Sequence, residues 1–277
     1  MPTATASTST DLKTVTRDLR VDIIRMIEAA GSGHPGGSLS VIDLLTVLYA
    51  KFLRHDPKRP DWPDRDRLIL SKGHACPALY AVMAHEGYFP KAELMTLRRL
   101  GSPLQGHPDR LRLPGIEAST GSLGQGLSIA IGLALAAQLD KKDWHTWCVL
   151  GDGETQEGQV WEALMAAPKF KLGNLTAVFD YNGGQIDGPV NEIMSLQPLA
   201  DKLKAFNWSV HVIDGHDLAA IAKAFAAAKA EKDRPTAIVA QTVKGKGVSF
   251  MENNIDWHGK APTKEQADQA VQELLHG

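Results

Sequence analysis

From residue 147 to residue 241 the chain alternates short apolar runs with longer amphipathic ones, and that alternation leaves few folds open. Residues 147–150, 175–180, 209–213 and 236–241 read as strands, and residues 159–170, 199–206 and 218–229 as the helices between them. Strands spaced by helices of this length predict a parallel sheet with helices on both faces.

The first half carries weaker signals. Leu12, Val15, Leu19, Ile23, Ile24 and Ile27 recur at three- and four-residue steps, which predicts an amphipathic helix over residues 11–30. Gly31-Ser32-Gly33-His34-Pro35-Gly36-Gly37 should break it, and a second helix is expected from near Ser40 through Leu48. Residues 67–70 look like a short buried strand, and helical patterning returns at 75–85 and 91–100. The small and apolar residues of 123–139 suit a tightly packed internal helix. No repeat or linker divides the chain, so one domain over residues 11–277 is expected, behind a polar tail, residues 1–10, read as disordered.

Composition excludes several function classes. A net charge of −2 gives no reason to expect nucleic acid or an anionic membrane as partner. The most apolar stretch, 123–139, is interrupted by Gly124, Gln125, Gly126 and Ser128, which argues against a membrane span. Cys76 and Cys148 stand in unrelated contexts, so a reducing, cytoplasmic setting fits better than a disulfide or zinc site.

The chemistry concentrates where strands end. Asp152 follows an apolar strand directly, and ligands of open α/β sheets bind at the carboxyl ends of strands. Gly151 and Gly153 let backbone approach a phosphate closely. One crossover later the next strand ends at Asp180-Tyr181-Asn182, which should set Asp152 and Asn182 side by side as oxygen donors. Gly183-Gly184 can then turn the Gly184 carbonyl into a third donor for a hard divalent cation. Taken alone, Gly-Asp-Gly is an ordinary strand-ending turn; the second feature one crossover on makes a diphosphate–metal site the better reading. Neither GxGxxG nor GxxxxGK[ST] stands where a nucleotide fold needs it.

Ten histidines are present. His55, His85, His145, His211, His216 and His276 lie in polar or helix-end contexts and read as solvated or packing residues. His34, His74, His107 and His258 each sit beside glycine in a turn, poorly placed for a core and well placed to reach a ligand.

Gly151-Asp152-Gly153-Glu154, Glu157-Gly158, Trp161-Glu162-Ala163, Asn174-Leu175 and Asp180-Tyr181-Asn182 together resemble the thiamine diphosphate signature of transketolases. Tyr181 stands where the signature often has a first asparagine. The four histidine motifs resemble those of the same family in the same order, and the resemblance runs from about Asp11 to Pro262. It implies the thiamine diphosphate-binding fold, with thiamine diphosphate and Mg2+ (Ca2+ or Mn2+ in its place) as cofactors. It assigns the metal to Asp152, Asn182 and the Gly184 carbonyl. The cofactor falls to His74, Gly151, Gly153, Asn182, Ile186, Lys244 and the Ser122-Leu123-Gly124 loop, where full-length members usually have proline at the Ser122 position. His34 and His258 are expected near the substrate, and His74 and His107 nearer the cofactor.

The resemblance also implies that the glutamate activating the cofactor belongs to a separate pyrimidine-binding domain. The expectation is therefore the N-terminal subunit of a split transketolase, with Glu157 at the interface to a C-terminal partner. Two chains of each kind would act on sugar phosphates, as in the pentose phosphate pathway. Glu157 also suits a helix N-terminus, where a carboxylate is favoured by the macrodipole. Other thiamine-dependent classes stay open, such as 1-deoxyxylulose-5-phosphate synthase or a 2-oxo acid dehydrogenase component. So do a specialised ketol transferase and a non-catalytic cofactor-binding protein.

Overall fold

A computed structural model describes residues 11–277, so the disorder expected of residues 1–10 lies outside the described residues. Helix α1 (Leu12–Ala30) follows the apolar spacing and buries Leu19, Ile23, Ile24 and Ile27. Asp11 caps its start by accepting from Lys13 N at 3.2 Å, and Gly31 ends it with φ 64°.

Helix α2 (Pro35–Val47) begins five residues before the expected Ser40. Pro35 occupies its first turn, where an N–H has no helical partner to lose. Gly36 and Gly37 are inside the helix because other groups come close, not because they break it. A Cβ on Gly36 would stand 3.0 Å from the Trp257 carbonyl oxygen.

Strand β1 (Arg67–Leu70) and helix α3 (Cys76–Glu86) lie where the pattern puts them. The helix expected over 91–100 shrinks to a 3-10 segment, Lys91–Thr96. Arg98 has φ 60°, a left-handed conformation that no right-handed helix can contain.

Helix α4 (Gly126–Leu139) precedes β2 (Thr146–Gly151), and α5 (Gly158–Lys169) leads from β2 to β3 (Leu175–Tyr181). A small hairpin, β4 (Gly184–Gln185) and β5 (Gly188–Pro189), comes next, then α6 (Val190–Met194) and α7 (Leu199–Ala205). Strand β6 (Ser209–Asp214), α8 (Leu218–Ala230) and β7 (Thr236–Gln241) complete the sheet. Helix α9 (Lys264–His276) was not anticipated, although Thr263 and Gln266 spell out its capping box.

The main sheet has the order β1-β2-β3-β7-β6, and every pair in it is parallel. Alternate side chains of each strand enter opposite cores. Trp147, Val149, Val178 and Ile238 join the cluster with α1, α2 and α8. Cys148, Leu150, Ala177 and Phe179 join the one with α4, α5 and α7. Both faces are thus covered, as the near-continuous apolar strands require. Cys76 and Cys148 are free and buried.

Helix α4 is less internal than expected. It is apolar all round, yet Ile129 and Leu139 keep 37% and 81% of their surface exposed. No helix among the described residues is long and apolar enough to cross a membrane.

Candidate functional site

Five parallel strands end on one edge of the sheet, and the loops trailing four of them, β1, β2, β3 and β7, line a pocket of about 350 Å3. Lys72 enters it from beyond β1, Asp152 from β2, Asn182 and Gly184 from beyond β3, and Lys244 from beyond β7. The register explains the meeting: β2 and β3 are neighbours with Gly151 opposite Asp180, so the residues just past each strand converge.

Asp152 is 2% exposed. Its Oδ1 accepts from Gly153 N at 2.8 Å and its Oδ2 from Gly183 N at 2.5 Å. Burial, and then the Asp180 carboxylate, push its pKa up to about 6. It has no salt-bridge partner among the described residues, because the Lys72 ammonium is taken by Asp180. A buried carboxylate without a counter-charge is the environment a cation relieves.

Asn182 Nδ2 donates to Ser40 Oγ at 3.2 Å, which leaves its Oδ1 to accept from Gly184 N at 3.2 Å. The Gly184 carbonyl in turn accepts from Lys244 Nζ at 3.2 Å. One carboxylate, one amide oxygen and one backbone carbonyl therefore gather at the pocket, a hard donor set that fits Mg2+ or Ca2+. Among the described residues no group of three His, Cys, Asp or Glu side chains could hold an ion. Phosphate oxygens would have to complete the shell.

Lys244 is buried, and that burial, with the Lys72 charge, lowers its pKa to about 8. Asp180 is also buried, which by itself would raise its pKa. Lys72 and the Ser40 and Thr242 hydroxyls outweigh that and hold it below the ordinary carboxylate value. Sequence reasoning left Lys72 and Asp180 out of the site. A charged residue closing an apolar strand was the available signal for Asp180.

Glu154 was missed too. It is buried, and its carboxylate accepts from Gly124 N and Gly151 N, each at 3.0 Å, and from the Ser71 hydroxyl. Its bonds tie the loop before α4 to the end of β2. They also engage the amides of Gly124 and Gly151; Gly151 lines the pocket, and Gly124 does not. Gly124, at φ 83°, packs on Glu157, where a Cβ would stand 2.9 Å from the glutamate's own. Leu123 and Gly153 line the pocket; Ser122 is exposed outside it.

The four glycine-flanked histidines come together. The His34 ring centroid lies 5.2 Å from that of His74, 5.6 Å from His258 and 6.2 Å from His107. His74 and His258 stack at 5.3 Å and reach the pocket itself. Burial, reinforced by Arg98 and the site lysines, lowers His34 to about 4, and burial with Lys244 lowers His258 to about 3. His74 and His107 shift the same way, each mainly through burial. The cluster is uncharged at neutral pH. His34 Nδ1 and His258 Nδ1 are buried without a hydrogen-bond partner.

Glu157 and Ile186 stand at the pocket's rim. Ile186 is 69% exposed, so it is no core residue.

The family model of the transketolase thiamine diphosphate binding domain matches residues 10–275. The chain belongs to the transketolase family, as its thiamine diphosphate binding domain. A 6-deoxy-6-sulfo-D-fructose transketolase subunit of Clostridium sp. (strain MSTE9) is 47% identical over 95% of this chain and 96% of that protein. An apulose-4-phosphate transketolase subunit of Phocaeicola vulgatus is 41% identical over 92% of this chain and 90% of that protein. Transketolase from Campylobacter jejuni superposes with a TM-score of 0.89 at 34% identity, covering 95% of this chain. The chain spans 42% of the length of that transketolase.

Proposed function

We propose that this chain is the diphosphate-binding subunit of a split transketolase, working with a second chain that carries the pyrimidine-binding domain. The reaction is transfer of a two-carbon ketol unit from a ketose, or ketose phosphate, to an aldose, or aldose phosphate. The observation that carries this reading is the buried, unpaired Asp152 beside Asn182, Gly184 and Lys244 at the strand ends. Two relatives of nearly the same length, both transketolase subunits, support it.

In this reading Asp152, Asn182 Oδ1 and the Gly184 carbonyl hold Mg2+, or Ca2+ or Mn2+ in its place, and Lys244 balances the diphosphate charge. Thiamine diphosphate bound there would supply a nucleophilic carbon and a thiazolium ring able to take up the electrons of the broken C–C bond. The chain's own work is binding and proton handling. Neutral His34, His74, His107 and His258 can accept a proton from a sugar hydroxyl and return it.

The partner supplies the acid that activates the cofactor and the basic groups that hold the sugar's far anion. Two chains of each kind make the assembly, and two buried free cysteines suit the reducing cytoplasm. One relative is a transketolase of a sulfonated sugar, so the far anion is a sulfonate or a phosphate.

The test reconstitutes the chain with its partner, thiamine diphosphate and Mg2+. Ketol transfer is assayed from fructose 6-phosphate and from 6-deoxy-6-sulfofructose. Transfer from neither overturns the proposal. Asp152→Ala should abolish Mg2+-dependent cofactor binding in calorimetry; retained Mg2+ dependence removes Asp152 from the site.

A further inference from the structure

Outside the pocket a polar chain, buried at Arg20 and Asp43 and half-buried at His216, runs from α1 to the loop that carries Lys244. Arg20 donates from Nη1 at 3.0 Å and from Nη2 at 2.5 Å to the two oxygens of Asp43 on α2. Asp43 Oδ2 also meets His216 Nδ1 at 2.7 Å, and His216 Nε2 meets Val243 N at 2.8 Å. A backbone amide can only donate, so Nε2 carries no proton and the imidazole proton sits on Nδ1, facing Asp43. Burial alone would raise the pKa of Asp43, but the His216 hydrogen bond and the Arg20 charge hold it below the ordinary value. One ionised acid thus fixes one tautomer, and that tautomer presents one acceptor to Val243.

Val243 directly precedes Lys244. The Lys244 stem lies in a slot between two glycines: a Cβ on Gly36 would be 3.1 Å from its Cγ, and one on Gly184 would be 3.1 Å from its Cδ. With no lateral room, the place of the ammonium follows the backbone. Thr242 N holds to the Tyr181 carbonyl at 3.1 Å and Gly245 N to the Gly36 carbonyl at 3.0 Å. Between them, the Val243 amide has His216 as its partner.

We propose that His216 is a positioning residue for the cofactor site: locked by Asp43, its neutral imidazole holds Val243 and so aims the Lys244 ammonium at the diphosphate. This rests on the reading of Lys244 as the diphosphate's counter-charge. His216 and Arg20 also line a separate groove of about 1520 Å3 that shares no residue with the strand-end pocket. A smaller side chain at 216 would admit water there, and the loop would keep its other anchors, among them Asn253 N on the Lys244 carbonyl at 2.9 Å.

Two substitutions separate the links. An asparagine amide can replace Nδ1 toward Asp43 but cannot reach Val243; a glutamine oxygen can stand where Nε2 stood. In the chain assembled with its partner, His216→Asn should raise the thiamine diphosphate Kd about tenfold in the presence of Mg2+. Amide exchange across 242–246 should speed up as well, and His216→Gln should recover most of both. Unchanged exchange in His216→Asn overturns the anchor. Faster exchange with unchanged Kd overturns its link to the cofactor. If Lys244→Ala binds thiamine diphosphate as tightly as the wild type, the aiming of Lys244 is overturned. Exchange then reports on the loop anchor by itself.

Discussion

Lys72 donates to Asp180 in an ion pair closed off from solvent, with side chains 1% and 0% exposed. The pair links the loop after β1 to the end of β3, and Lys72 lines the pocket. Removing one partner strands the other charge in a medium that cannot solvate it, at a typical cost of about 3–5 kcal/mol. Lys72→Met should therefore unfold at markedly lower urea than the wild type. A loss below about 1 kcal/mol would show that water reaches Asp180.

Glu154 joins three groups that otherwise have no reason to meet: the Ser71 hydroxyl, Gly124 N and Gly151 N. Glu154→Ala leaves these donors buried and unmatched, each costing about 1–3 kcal/mol where water does not enter. The expected result is a loss of about 3 kcal/mol in denaturation and weaker cofactor binding, since Leu123 loses its place with the loop. Full cofactor affinity in a destabilised variant would separate the loop's fold from the site.

These two acids mark the limit of what the sequence makes legible. The parallel sheet could be read because apolar runs and helix-length spacers are local patterns, and each main-sheet strand lies within about a residue of its expectation. The pairing of Asp152 with Asn182 followed from one crossover between neighbouring strands. The start of α2 could not be read in this way. Gly36-Gly37 looks like a break until Trp257 and Lys72, distant in sequence, are seen pressing on it. Glu154, Lys72 and His216 act through partners 27 to 173 residues away. No local period encodes such contacts. The histidine cluster was reached by context, glycine beside histidine in a turn, and its ring distances are a product of the fold.

Acid should destabilise the domain in a particular window. His145 is buried against Thr176, its Nε2 2.8 Å from the hydroxyl, and burial, with the nearby Lys229 charge, lowers its pKa to about 3. The unfolded chain takes up this proton near 6.5, so between about 6.5 and 3 it binds more protons than the folded one. The stability is whole above 6.5 and falls with pH, by about 1.4 kcal/mol per unit for this one imidazole. His34 and His258 add in the same direction. His145→Gln should make the plot of unfolding free energy against pH shallower below 6.5. An unchanged slope would place the acid sensitivity elsewhere.

Glu157 separates a structural role from an interface one. It stands at the N-cap of α5, yet its carboxylate makes no hydrogen bond among the described residues and is exposed at the pocket's rim. A carboxylate at a helix N-terminus contributes typically about 0.3–1 kcal/mol through the macrodipole, so Glu157→Gln should cost the isolated chain no more than that. If the same carboxylate faces the partner's cofactor-activating acid, the assembled enzyme should lose far more, at least tenfold in kcat with cofactor saturating. Such a loss corresponds to about 1.4 kcal/mol of transition-state stabilisation. Stability is read by urea denaturation of the isolated chain, and rate by the ketol-transfer assay of the complex. A rate loss matched by an equal stability loss would leave Glu157 as a helix cap alone.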